Sequence, residues 1–522
     1  MSRLRSATRK VKTVLVDQTD SPNPLRIKTE AAVKKDPCTD PPAVSAVHSF
    51  PNPTDIRLFR KHILDWYDHG KRELPWRTLA LTEPDIDTRI YAVWVSEIML
   101  QQTQVATVID YYNKWMKRWP TVHDLAAATL EEVNQMWAGL GYYSRGKRLY
   151  EGAQKVVTQL GGEMPRTVES LRHLPGVGRY TAGAVGSIAL GEVTGAVDGN
   201  VIRVLCRMRA IGADSTGPAV TEALWCTANI LVSPERPGDF NQAMMELGAR
   251  ICTPKAPLCT MCPVQSQCHS YRKVLVKQEE NATKLRGNSK TVPDIEDCGT
   301  TCNLCPTDPW DPKLGVLNFP RKPTKKAPRV ERTLTCVVAR PTPAGDREYL
   351  LTQRPSKGLL AGMWEFPSLL LEADDSELKQ RGALSAEVGR RLGIQLDKGL
   401  LRYLGEVVHI FSHIHQTYVV YSVCLRVSRE EVGWDTQAGI TRWLTGPALH
   451  TAAVSTGVKK IIKLYDSLEG QEGQTTKGKR KQSMNMKSDR EQKSKKLKNN
   501  SLNNGTRQLS LGLFIKKTKP ES

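Results

Sequence analysis

Apolar residues first recur at helical spacing from Asp55 onward, at Ile56, Phe59, Ile63, Leu64, Trp66 and Tyr67, until Leu74-Pro75-Trp76-Arg77 ends the pattern. Residues 91–105 follow with few breakers and a mostly apolar first half, which predicts a helix. Residues 124–160 predict two helices joined by Trp137-Ala-Gly-Leu-Gly-Tyr-Tyr-Ser-Arg145. A Pro175-Gly176-Val177-Gly178 hairpin then opens a Gly/Ala-rich helix from Arg179 to about Leu190, and helical patterns continue to Ala249. The period changes to two at residues 332–340, 349–354 and 416–427, which predict strands, with one helical stretch at 376–392 between them. The chain therefore reads as multidomain, an all-α part followed by an α+β part. The boundaries are a disordered arm at 1–50, a helical domain at 51–272, a connector at 273–331, an α+β domain at 332–466 and a basic disordered tail at 467–522.

A net charge of +21 and a pI near 9.4 suit a polyanionic partner. The tail from Gln471 takes much of that excess, with fourteen Lys/Arg against four Asp/Glu, so the folded middle must show its own means of binding nucleic acid. No run of about 18 apolar residues occurs, so no transmembrane helix is expected. Seven of the twelve cysteines fall between Cys252 and Cys305. Such clustering, with no export signal evident, favours metal ligation over disulfides. Residues 1–16 carry five basic groups and no acid, as a mitochondrial presequence or a plain solvated arm would.

Two acids stand out by their surroundings. Glu97 lies three residues after Trp94 and four after Val93, so a helix places all three on one face. A helical glutamate usually faces water, and spacing alone favours that reading. Asp198 sits alone between Val197 and Gly199 in an acid-poor stretch, eight residues past the Gly/Ala-rich helix. The hairpin before that helix, with Gly176 and Gly178, can bring backbone N–H groups to a phosphate. The aromatics of Gly141-Tyr142-Tyr143, followed by basic residues, suit either a wedge entering a base stack or ordinary core packing.

Hairpin and aspartate together resemble those of the endonuclease III superfamily of helix-hairpin-helix DNA glycosylases. The segment Val93-Trp-Val-Ser-Glu-Ile-Met-Leu-Gln-Gln-Thr-Gln-Val105 is similar to the catalytic-glutamate helix of MutY-family adenine DNA glycosylases. The resemblance implies a monofunctional glycosylase that excises adenine mispaired with 8-oxoguanine, and with guanine, in base excision repair. Cleaving an N-glycosidic bond passes through an oxocarbenium-like state, so one carboxyl must protonate the leaving base and another must offset positive charge. Glu97 is the implied acid and Asp198 the implied stabiliser, with Tyr180 and Asn200 orienting them. Gln102, on the same helix as Glu97, and Tyr142 are the implied intercalating residues. A bifunctional glycosylase/lyase would need a Schiff-base Lys where Tyr180 stands, and a non-catalytic DNA-binding scaffold would not need both carboxyls.

The spacing Cys252-x6-Cys259-x2-Cys262-x5-Cys268 matches the [4Fe–4S] loop of that family. Cys298-x3-Cys302-x2-Cys305 is one ligand short of a closed tetrahedral site. Animal MutY homologues hold zinc in this connector. The fourth ligand is open among His48, Cys206 and a water. Residues 314–320 are an apolar island that should dock on this chain or on a partner.

The strands and Gly358–Ser368, GLLAGMWEFPS, resemble the Nudix fold, yet residues 386–393 read Ala-Glu-Val-Gly-Arg-Arg-Leu-Gly. Arg390 and Arg391 replace two metal-binding carboxylates, so no pyrophosphate hydrolysis is expected. The resemblance instead implies an 8-oxoguanine-reading module, with Ser412 and His413 in Phe411-Ser-His-Ile-His415 as its contacts. It further implies double-stranded DNA as partner, a checkpoint clamp bound through the connector, a monomeric state, and residence in nucleus and mitochondrion. Gln508-x-x-Leu511-x-x-Phe514-Ile515 resembles a sliding-clamp-binding box, with Ile515 where an aromatic is usual.

Overall fold

The computed structural model describes residues 46–285, 298, 302–306, 308–321, 327–342, 345–371, 376–411, 413–425 and 441–479. The presequence-like residues 1–16, Ser412 and the 508–515 box lie outside these. Two compact units divide the chain, 1–461 and 462–522, and the first carries both the helical and the sheet parts.

The helical part begins earlier than its periodicity indicates. Residues 46–48 form a short 3-10 turn, and His48 and Phe50 are buried, so the arm expected to be disordered through residue 50 is already folded at His48. Phe50 packs edge-on against Phe59 at 5.6 Å, which ties this segment to helix Pro53–Gly70. Residues 122–159 form three helices where two are expected: Val122–Ala127, Leu130–Trp137 and Ser144–Gln159. The extra break is a capping box in which Thr129 accepts from the Glu132 N–H and Glu132 from the Thr129 N–H.

Two apolar clusters organise this part. One gathers Trp94, Trp115, Trp137, Tyr91 and Tyr112, and the other Phe59, Tyr67, Leu205, Leu224, Phe240 and Leu247. Helix Ile86–Leu100 has ten consecutive buried residues, Ile90 to Met99, and supplies seven of them to the first cluster. A helix buried on all sides has no wet face to offer, so Glu97 cannot be a solvent-facing glutamate. The helix stops at Leu100, before the expected end at Val105, and Gln102 therefore lies in the turn beyond it. Helix Arg179–Ala189 packs against helices Ile86–Leu100 and Pro237–Arg250. Gly238 permits the second contact: a Cβ on it would stand 2.7 Å from the Ser187 carbonyl oxygen.

Among the described residues the C-terminal part forms a seven-stranded sheet: β1 (Arg329–Pro341), β2 (Arg347–Gln353), β3 (Trp364–Glu365), β4 (Ser368–Leu370), β5 (Arg402–Ile410), β6 (Ile414–Cys424) and β7 (Thr441–Thr445). Its path runs β3-β2-β1-β6-β5, with β4 on β1 and β7 on β2, and the β1–β6 pair is parallel. Helix Glu377–Leu392, capped by Ser376, covers one face through Leu384, Val388 and Leu392. Arg390 and Arg391 both hydrogen-bond to Glu387, at 2.8 Å each. Burial raises the Glu387 carboxyl, but these two guanidinium groups win and hold it below its ordinary range. Glu387, the one carboxylate in residues 386–393, is thus already neutralised by side chains.

The two parts meet within the first unit. Met363, from the loop before β3, is fully buried among the tryptophans of the first helical cluster. Arg442 on β7 stacks over Trp364 at 4.6 Å and reaches Glu131 of the helical part at 2.6 Å. Lys147 donates to the Ser356 carbonyl at 3.1 Å.

Candidate active site and metal centres

Glu97, Tyr180, Asp198 and Asn200 line one cavity of about 490 Å³, large enough for a flipped purine. Helix Ile86–Leu100 delivers Glu97, helix Arg179–Ala189 delivers Tyr180, and helix Gly199–Met208 begins at Asp198. The Tyr180 hydroxyl donates to Glu97 Oε2 at 2.6 Å. Burial pushes the Glu97 carboxyl up to about 7; the Tyr180 hydrogen bond opposes this, and the Asp198 charge adds to it. Burial therefore lets this carboxyl keep its proton toward neutral pH, as a general acid needs.

Asp198 is an N-cap as well as a cavity wall. It accepts from the N–H groups of Asn200 (2.9 Å) and Val201 (2.8 Å) and from Asn200 Nδ2 (2.7 Å). Burial raises its pKa, and those hydrogen bonds pull the other way. Asn200 is itself held: Arg203 donates to Asn200 Oδ1 at 2.8 Å, to the Gly248 carbonyl at 2.6 Å and to the Cys252 carbonyl at 2.7 Å. A Cβ on Gly248 would stand 2.7 Å from Asn200 Cβ, so only glycine lets this frame close.

The opposite wall was not singled out from sequence. Glu246, fully buried, binds Arg72 at 2.6 Å and Arg77 at 3.0 Å, and Arg77 also donates to Gln242. All four line the cavity with Trp76, Leu100 and Met245. The available signal is the lone acid in the Met244-Met245-Glu246-Leu247 run, the same anomaly that marks Glu97.

In the hairpin, Gly176 sits at φ +79° and Gly178 is the N-cap of helix Arg179–Ala189, with no side-chain cap. A Cβ on Gly178 would meet nothing within 4 Å, which leaves its backbone open to a phosphate. Tyr142 is exposed and lines a second cleft of about 660 Å³ together with Lys147, Arg148, Phe411 and His413. The structure thus brings Tyr142 and His413 to one cleft, while Gln102 lines the cavity of Glu97.

The cysteines fall into two sets. Cys252, Cys259, Cys262 and Cys268 line one cavity, and burial raises the thiols of Cys262 and Cys268 to about 12. Arg207 donates to Cys252 Sγ at 3.3 Å. His48, Cys298, Cys302 and Cys305 form a tighter set, with ligand atoms all within 4.8 Å of one another. His48 Nε2 lies 3.3 Å from the sulfurs of both Cys298 and Cys305, and its Nδ1 is 2.8 Å from the Arg209 carbonyl. Of the sequence candidates for a fourth ligand, His48 is the one brought to these thiols. Cys206 is buried in the second apolar cluster. A cysteine cluster fit to hold metal is therefore present. The apolar island docks at the other cysteine set: Val316 lines the cavity of Cys252, Cys259, Cys262 and Cys268, Phe319 is buried, and Arg207 donates to both the Phe319 carbonyl and Cys252 Sγ. No helix among the described residues is long and apolar enough to cross a membrane.

Comparison with known proteins agrees with this arrangement. Residues 95–228 match the family described as HhH-GPD superfamily base excision DNA repair protein, and residues 342–464 match the NUDIX domain. The chain is 56% identical over 430 residues to adenine DNA glycosylase of Mus musculus, covering 81% of each chain. It is 54% identical over 442 residues to the enzyme of Homo sapiens, covering 84% of this chain and 78% of that one. Among solved structures, a thermostable thymine-DNA glycosylase is 29% identical at a TM-score of 0.37, covering 42% of this chain and 98% of that one. The buried acid beside a capped aspartate, on a helix-hairpin-helix body joined to a Nudix-like sheet, places this chain in the adenine DNA glycosylase family of base excision repair enzymes.

Proposed function

We propose that the chain excises adenine mispaired with 8-oxoguanine, and with guanine, by monofunctional hydrolysis. One observation carries the chemistry: a buried glutamate raised to about 7 shares a cavity with an aspartate held by a helix N-terminus. Adenine leaves the stack and enters the cavity. Protonated Glu97 donates to N7 as the C1′–N9 bond breaks and its electron pair passes to the base. Asp198, as carboxylate, offsets the oxocarbenium charge, and Glu97 then takes a proton from the water that adds to C1′. Tyr180 orients Glu97, and Asn200 orients Asp198. Tyr180 occupies the hairpin-helix position where a lyase would need an amine, which supports the monofunctional reading.

Gln102 and Tyr142 form the wedge that replaces the departing base, Gly176 and Gly178 hold a phosphate, and Ser412 and His413 read the lesion. The wider cysteine set, Cys252, Cys259, Cys262 and Cys268, suits a [4Fe–4S] cluster, and the tighter set with His48 suits a single Zn²⁺. When bound, the cluster supplies structure and position and leaves the proton transfers to Glu97. Residues 508–515 bind a sliding clamp, which their pattern supports, and the chain serves nucleus and mitochondrion, which the basic tail and the basic residues 1–16 support; the checkpoint clamp at the connector and the monomeric state rest on the family resemblance alone. Single-turnover excision should be fast on a duplex with adenine opposite 8-oxoguanine and slower with adenine opposite guanine. Equal rates on the two would refute lesion reading.

A further inference from the structure

Arg145 is 6% exposed, yet its guanidinium faces neither a carboxylate nor water. It points into a space walled by carbonyls. Nη1 donates to the carbonyls of Ile98 (2.9 Å), Met99 (2.8 Å) and Gln101 (2.6 Å). Nη2 donates to Thr103 Oγ1 (3.0 Å) and to the carbonyls of Gly141 (3.1 Å) and Leu140 (3.5 Å), and Nε to that of Tyr142 (3.4 Å). The ring faces of Trp137 and Tyr142 each stand 5.4 Å from the guanidinium carbon.

Two segments far apart in sequence meet at this one group. Helix Ile86–Leu100 leaves its last carbonyls without helical partners, and Arg145 takes them. Just beyond lies Gln102 at φ +57°; on the other segment lies Tyr142 at φ +47°. Both are in the left-handed region, which side chains adopt when their surroundings impose it. The Gln101 carbonyl belongs to the peptide entering Gln102, and the Gly141 carbonyl to the peptide entering Tyr142. One guanidinium therefore fixes the backbone on the N-terminal side of each left-handed residue.

We infer that Arg145 is the positioning residue that makes Gln102 and Tyr142 one rigid wedge and sets that wedge against the end of the helix bearing Glu97. The inference rests on the wedge reading of Gln102 and Tyr142 proposed above. Lysine could keep the charge but not the fork: a single ammonium cannot hold the Ile98, Met99 and Gln101 carbonyls that Nη1 takes and also the Thr103, Gly141 and Tyr142 oxygens that Nη2 and Nε take. With either segment loose, the two side chains no longer enter the stack together, and adenine reaches Glu97 less often.

The test is a double-mutant cycle on the full chain, read by single-turnover excision of adenine opposite 8-oxoguanine and by fluorescence of a 2-aminopurine next to the target. Arg145→Lys should cost about tenfold or more in rate, together with the unstacking signal. In a chain already carrying Gln102→Ala and Tyr142→Ala it should cost less than about twofold more, because the wedge it holds is gone. The same fold-loss in both backgrounds would overturn the inference while leaving the wedge intact. No loss from Gln102→Ala with Tyr142→Ala would overturn the wedge, and the inference with it. If Arg145→Lys fails to fold, Thr103→Ala removes one of its partners and should show a smaller loss with the same dependence on background. A Thr103→Ala loss that persists without the wedge would count against the role.

Discussion

Replacing Glu97 with glutamine keeps the volume of the side chain and an oxygen for the Tyr180 hydroxyl, but removes the proton that titrates. Two effects of opposite sign follow. The chemistry should stop, because an amide has no proton to give adenine N7. The fold should become more stable, and the amount can be worked from the structure. Burial raises the Glu97 carboxyl from 4.5 to about 7. Between those pH values the folded protein holds a proton that the unfolded chain has released, so its stability falls as pH rises, by about 1.4 kcal/mol per unit. Above pH 7 the loss levels off at about 3 kcal/mol, the cost of keeping a carboxylate in that cavity. Glutamine has no such cost. Its thermal midpoint should match that of the native protein near pH 4.5 and exceed it by roughly 6 °C or more at pH 8. Midpoints would be followed by circular dichroism across that range, beside single-turnover excision and binding of the mispaired duplex. Excision by the native protein should also fall as pH rises through about 7, where Glu97 loses its proton. Coincident midpoints at pH 8, or a gap as large at pH 4.5, would refute the burial argument. Excision by Glu97→Gln near the native rate would remove Glu97 from its role.

Asp198→Asn should bind the duplex but lose roughly two orders of magnitude or more in the single-turnover rate, since charge stabilisation by such a group is worth several kcal/mol; a loss under threefold would exclude it as the stabiliser. Purified protein should be yellow-brown, contain iron and also about one zinc per chain. His48→Ala should lower the zinc content and leave the colour, so loss of iron with zinc retained would exchange the two assignments. His413→Ala should narrow the preference for 8-oxoguanine over guanine roughly fivefold, as loss of one hydrogen bond of about 1 kcal/mol would. An unchanged ratio of single-turnover rates on the two duplexes would make it an ordinary loop residue.

Which parts of this arrangement could be read from sequence follows from where the information is held. Glu97 was legible through the resemblance of its helix to the catalytic-glutamate helix of MutY-family enzymes, since spacing alone favours a solvent-facing glutamate; it is buried because ten successive residues of that helix, Ile90 to Met99, are buried and leave no wet face there. Strands β1, β2 and β6 run through the sheet and are buried along much of their length, so each carries an apolar run that a sequence shows; β5 is an edge strand with exposed Tyr403, Val408 and Ile410, and no such run marks it. Strands β3 and β4, of two and three residues, are too short to carry a period at all. The Thr129/Glu132 capping box was a readable signal for the third helix between 122 and 159, and reading hydrophobic period alone passed over it. His48 could be named only as one of three open candidates, because it lies in a stretch of arm-like composition and gains its role by meeting Cys298 and Cys305 some 250 residues on. The Arg72–Arg77–Glu246 wall is hidden for the same reason, its partners lying about 170 residues apart.

The burial of Met363 among the tryptophans of the helical body changes what a deletion measures. Cutting the chain before β1 does more than remove a reader of the opposite strand; it also pulls a stopper from the core that holds the Glu97 helix. Emptying a site of that size costs about 2–5 kcal/mol where the surroundings cannot collapse. A truncated enzyme that excises slowly would therefore be uninformative about lesion reading until its melting behaviour is known. The same reasoning reaches inherited or engineered changes in residues 358–364. They can lower excision through the packing around Glu97 without touching DNA, and they should be recognised by a fall in thermal midpoint that changes at His413 do not produce.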